Sequence, residues 1–170
     1  MKLLKLFSLS IITVLLTGCE NNPTVFHRYQ AIPIQGWKRK DTLSFTIPDT
    51  LTGNRYELEI GLRHTEMYPY RDLWIALIHP LDSFPPDTFH VELASSKGDW
   101  KGKGNAGSLY QYALSVGNIT LTSADTLLQL VQVMKDSCLQ GITDAGIRLS
   151  FTSRINTQKD KQQDSKSPKR

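Results

Sequence analysis

Along Arg55–Thr65 apolar and polar residues alternate, with Tyr56, Leu58, Ile60 and Leu62 on one face and Glu57, Glu59 and Arg63 on the other. A β-strand turns successive side chains to opposite faces, so this period of two predicts a half-buried strand. Strand-forming stretches recur at Val25–Gln30, Thr42–Ile47, Leu73–His79, Thr88–Ala94, Leu109–Ser115 and Ala145–Thr152, separated by Gly, Pro, Asn, Asp and Ser. Leu73–Ile78 is apolar on both faces, as a central strand would be. Thr126–Met134 admits a helix, because Leu127, Leu128, Leu130, Val131 and Met134 also fit a helical stripe. The β-branched Val131 and Val133 and the neighbouring strands favour a strand there. Eight short strands without a convincing amphipathic helix predict an all-β chain, a single antiparallel β-sandwich of jelly-roll or immunoglobulin-like type.

The N-terminus breaks the alternation. Lys2 and Lys5 precede an apolar run from Leu6 to Leu16, followed by Leu16-Thr17-Gly18-Cys19. This is the layout of a secretory signal, and its apolar run is far shorter than the roughly 20 residues a membrane-spanning helix requires. A cysteine directly after a small residue marks a lipoprotein signal: its thiol carries a diacylglycerol thioether, and the amine freed by cleavage takes a further acyl chain. Two or three chains, at about 0.8 kcal/mol per buried methylene, anchor stably where one would not. The expected organisation is therefore a signal peptide at 1–18, a lipidated tether at 19–24, a β-sandwich at 25–153 and a basic disordered tail at 154–170. The tail, RINTQKDKQQDSKSPKR, holds one apolar residue and cannot bury enough surface to fold.

Removal of the signal changes the charge balance. The chain carries 20 Lys/Arg and 16 Asp/Glu, a net +4. Lys2 and Lys5 leave with the signal and six Lys/Arg and two Asp lie in the tail, so 19–153 keeps 12 basic and 14 acidic residues. A nearly neutral body offers no basic face for nucleic acid. Only Cys138 remains once Cys19 is acylated, so no intramolecular disulfide is expected and packing must supply the stability.

The candidate chemistry is thin. Gly102-Lys103-Gly104-Asn105-Ala106-Gly107 has the letters of a dinucleotide fingerprint, but it lacks the preceding strand and following helix that would present the phosphate site, and reads as a flexible interstrand loop. His27, His64, His79 and His90 fall in separate strands without metal-ligand spacing. Glu57 and Glu59 share a solvent face, where neither would be kept protonated as an acid catalyst requires. Cys138, near a turn, has no local sign of an activated thiolate. No cofactor is implied and no catalysis is expected. The aromatic residues are more suggestive. Core packing is their default use, but Tyr70, Trp74, Trp100 and Tyr110 are candidates for contact with a protein partner or a glycan.

The lipobox at Cys19, Gly36-Trp37 followed by Asp41-Thr42-Leu43-Ser44-Phe45, the central YPYRDLW, GDWKGKGNAGSLY and the final GITDAGIR together resemble the GldH family of gliding-motility lipoproteins. The similarity runs in order through nearly all of the mature domain. It implies an envelope lipoprotein of Bacteroidetes, held in the outer membrane and associated with the gliding machinery and the secretion system beside it. It brings no catalytic residues, and only Cys19 maps onto a position of known chemistry. From this follow two expectations: a non-catalytic assembly or stabilising component whose partners are the membrane and other envelope proteins, or, alternatively, a glycan-binding envelope lipoprotein.

Overall fold

The structure, a computed structural model, describes residues 22–79, 85–104, 108–123 and 125–152. The expected signal at 1–18, the lipidation site Cys19 and the tail at 154–170 lie outside the described residues, as does all of the tether before Asn22.

Eleven strands run in chain order: β1 (Thr24–Ala31), β2 (Trp37–Lys38), β3 (Leu43–Thr46), β4 (Arg55–Thr65), β5 (Asp72–Ile78), β6 (Asp87–Glu92), β7 (Lys103–Gly104), β8 (Leu109–Thr120), β9 (Leu127–Gln132), β10 (Cys138–Leu139) and β11 (Ile142–Phe151). All eight stretches expected from the alternation are strands, including 127–132, where the helical alternative fails. The additional β2, β7 and β10 have two residues each, too few to show a period. Lys103–Gly104 thus corrects the expectation of a loop at that point, because it pairs with Gln111 and Tyr110 of β8.

One sheet has the order β1-β11-β4-β8-β7, a second β3-β9-β5-β6, and β10 pairs with β2. Leaving aside the two-residue strands and counting the other eight along the chain, the orders are 1-8-3-6 and 2-7-4-5. First pairs with last, second with seventh, third with sixth and fourth with fifth, all antiparallel. This nested pairing makes the sandwich a jelly roll.

Between the sheets, Tyr56, Leu58, Ile60 and Leu62 of β4 meet Leu73, Ile75 and Leu77 of β5, Leu128 and Leu130 of β9, and Ile147 and Leu149 of β11 in one core cluster. Trp37 is fully buried in it, its indole Nε1 donating to the Asp41 carbonyl at 2.9 Å. On the outer face, Gly61 stands opposite Gly146, and Tyr29 lies across both, with the Arg63 guanidinium 4.2 Å above its ring. An aromatic ring over a glycine pair restores the packing surface that the glycines lack. Beside it, Arg148 pairs with Glu59 directly across the strands. Glu57 and Glu59 are therefore half-buried within a polar surface, not freely solvated.

Because the first and last strands are antiparallel neighbours, both termini of the domain leave from one end: Thr24 stands opposite Ser150, and Phe151 donates to the Pro23 carbonyl at 3.1 Å. The other end holds the connections after Ala31, Thr65 and Gln132.

Two glycines test the turns. Gly53 (φ +78) has open space where a Cβ would stand, whereas at Gly141 (φ +86) a Cβ would collide with the Tyr68 backbone. In urea denaturation, Gly53→Ala loses only the left-handed penalty of about 1 kcal/mol, and Gly141→Ala about 3 kcal/mol or more. Equal losses would contradict this packing of the 141 turn.

Candidate functional site

The end opposite the termini gathers the aromatic residues. At its centre is His64, which continues the inner face of β4 and is 0% exposed. Its ring stacks on Tyr110 at 5.4 Å and 17°, with Trp100 at 4.6 Å and Tyr68 at 6.2 Å. Nδ1 lies 3.2 Å from the Thr65 carbonyl, and Nε2 has no hydrogen-bond partner. Burial lowers the pKa of His64, and the backbone contact to Thr65 only partly offsets this. The Tyr110 hydroxyl donates to Glu66 at 3.2 Å at the edge of the cluster.

This separates the four candidate aromatics into two pairs. Trp100 and Tyr110 are half-buried around His64 and serve packing. Tyr70 and Trp74 are exposed. Trp74 stacks on His90 at 4.6 Å and 24°, and its backbone N–H lies 3.3 Å from the Met134 sulfur. Tyr70 donates to Asp136, a bond that raises the Tyr70 pKa. With Val133, Met134, Lys135 and Asp136 these two residues line a shallow depression of about 600 Å³.

Two further apolar side chains at this end escaped the sequence reading. Ile34 is 94% exposed and Met67 74%. Their loops meet at the 138–141 turn. Gly36 backs onto Leu139 and Cys138, Gly141 backs onto Met67 and Tyr68, and Thr65 donates to the Gly141 carbonyl at 2.8 Å. In the sequence each is one apolar residue within a loop, which is common and carries no signal by itself.

The remaining candidates do not converge. His27 lies on the outer sheet face, its pKa lowered by burial and by Arg148 and Arg63. His79, one residue beyond β5, bonds Asp125 at 2.8 Å. Burial would raise the Asp125 pKa, but hydrogen bonds from Thr122 and His79 outweigh it and hold it low. His90 bonds Asp72 at 3.0 Å. Cys138 is half-buried and donates to the Gln35 carbonyl at 3.1 Å. Among the described residues no group of three or more His, Cys, Asp or Glu could hold a metal ion.

The profile of the GldH lipoprotein family matches residues 24–149, from the start of β1 to within two residues of the end of β11. The chain belongs to the GldH lipoprotein family. It is 25% identical over 150 residues to the gliding motility lipoprotein GldH of Flavobacterium johnsoniae, covering 83% of this chain and 92% of that protein. Among solved structures, the coat protein dimer of tobacco streak virus aligns over 79% of this chain and 92% of that one, with 10% identity and a TM-score of 0.30. The GldH lipoproteins are not a known enzyme family.

The buried His64 sets a pH dependence. Its folded pKa lies below the unfolded value near 6.5, so its contribution to stability is complete above that pH and declines below it as the unfolded chain takes up the proton. Melts at pH 7.5 and 5.0 show a fall in Tm that is smaller in His64→Phe. An equal fall in both proteins contradicts a buried neutral imidazole.

Proposed function

We propose that this GldH-family protein is an envelope lipoprotein anchored through acylated Cys19, acting as a non-catalytic assembly or stabilising component of a gliding motility apparatus and its associated secretion system. The expected site is the outer membrane, and the partners are other proteins of the machinery. Family membership supports the lipoprotein and motility parts of this reading.

The observation that carries the mode of action is the polarity of the sandwich. Pro23, just before β1, stands at one end, and the exposed apolar Ile34, Met67 and Tyr70 belong to the other. β4 runs the length between them in eleven residues, which at about 3.3 Å each gives a reach of about 35 Å. An anchor at one end and exposed apolar groups at the far end suit a spacer that presents a contact surface away from the bilayer.

The alternative of a glycan site retains Trp74 and Tyr70, since Trp100 and Tyr110 are taken up by His64. A protein partner fits better, because the Trp74 indole already stacks on His90 and the depression beside it continues into Val133 and Met134. The experiment combines fractionation with in-cell crosslinking. Cys19→Ala moves the protein from the membrane to the soluble fraction, and a photoreactive residue at Met67 in the anchored protein captures components of the machinery. Unchanged fractionation contradicts the anchor; capture of no such component, together with normal secretion in a deletion strain, contradicts the role.

A further inference from the structure

Strands at sheet edges carry backbone N–H and C=O groups without partners, and proteins ordinarily blunt them with charge, proline or shortness. Three edges here follow that rule. β1 carries His27 and Arg28; β6 follows Pro85-Pro86 and carries Asp87, His90 and Glu92; β3 has four residues. β8 departs from it. Its twelve residues, LYQYALSVGNIT, include no charged residue and no proline. β7 covers it only opposite Tyr110 and Gln111, and from Tyr112 to Thr120 no described strand pairs with its outer side.

Beside this open edge the two sheets part. Leu58 stands opposite Gly117 and Glu59 opposite Ser115, so Val116 is an extra residue and the strand bulges. The shift places Gly117, at φ +107, opposite the buried Leu58, and nothing lies within 4 Å of where a Cβ would stand. A cavity of about 650 Å³ opens there, lined by Leu77 and Phe89 of the facing sheet and Val116 and Ile119 of β8, with His79 and Asp87 as its titratable residues. A bulge normally protects an edge by bending it. This one also removes the side chain that would have closed the core behind it.

We propose that the β8 edge receives an extended segment of another protein as an added strand, whose alternate apolar side chains enter this cavity. Main-chain hydrogen bonds to the edge supply the affinity, and the cavity selects the side chains. The fitting partner is a proline-free stretch spanning Tyr112–Ile119, apolar at every second position and uncharged on the inserted face. A second copy of this chain fits poorly, because in a β8-to-β8 pair the inward side chains of the copy already belong to its own core. This mode of contact is independent of whether Cys19 carries lipid.

The test uses the full chain in detergent and a defined probe, a nonapeptide of alternating valine and threonine flanked by lysines, with the same peptide bearing a central proline as control. Amide hydrogen exchange and fluorescence anisotropy are read together. The alternating peptide binds saturably and slows exchange across Tyr112–Thr120, the proline peptide binds at least about tenfold more weakly, and Val116→Glu loses binding while keeping its β-sheet circular dichroism. Should Val116→Glu unfold, the two peptides decide alone. The proposal is overturned by absence of saturable binding, by protection, in the chain alone, of those amides at 112–120 that point away from β4, or by self-association that accounts for their protection.

Discussion

The nested antiparallel pairing of the eight longer strands is the constraint from which the rest follows. When first pairs with last and third with sixth, β4 comes to lie between β11 and β8, and its inner row from Tyr56 to His64 is buried on every side. The chain has no disulfide among its described residues and gains its stability from such rows, each apolar side chain contributing roughly 1.5–3 kcal/mol against the entropy of ordering the chain. The same pairing brings the two termini together, because neighbouring antiparallel first and last strands must start and finish at one end. The shared position of the two ends of the domain is thus a consequence of topology.

At the far end the same β4 row explains why the aromatics divide as they do. His64 occupies a position where an aliphatic residue would have sufficed, and Trp100 and Tyr110 close around it. Their rings pack on that imidazole with part of each left open to solvent. Ile34 and Met67 have no such role, and the packing of their loops against the 138–141 turn holds them at this end without covering them, whereas Tyr70 and Trp74 are engaged by Asp136 and His90 and still stay exposed. The outer face of the five-stranded sheet is organised differently, by Tyr29 across the Gly61–Gly146 pair and by Arg148 opposite Glu59.

The period-two rule in the sequence sufficed for β4, because one face is buried along its whole length and the alternation has residues enough to show, whereas β5 was legible as a continuous apolar run. One further step of the same period puts His64 on the inner face, where a buried imidazole cannot be told from an ordinary strand histidine. What surrounds His64 was not legible, since Trp100 and Tyr110 reach it only through the pairing of β8 with β4 and the bridge from Ala94 to Trp100. The bulge at Val116 was equally hidden: the strand expected at Leu109–Ser115 stops before it, and only the register with Leu58 and Glu59 shows the extra residue. Pairing partners such as Glu59 and Arg148, 89 residues apart, depend on register in the same way. The lipobox, by contrast, is a local chemical signal, and it is legible without any fold.

The central claim is that the domain stands on its membrane with the end carrying Ile34 and Met67 pointing away. Depth-dependent fluorescence quenching of the acylated protein in vesicles tests this most directly, using Cys138→Ser with a single bimane label at Met67→Cys or at Thr152→Cys. A quencher at headgroup depth is predicted to quench the label at 152 strongly and to leave the label at 67 unaffected. Equal quenching of the two labels, or stronger quenching at 67, would contradict the account.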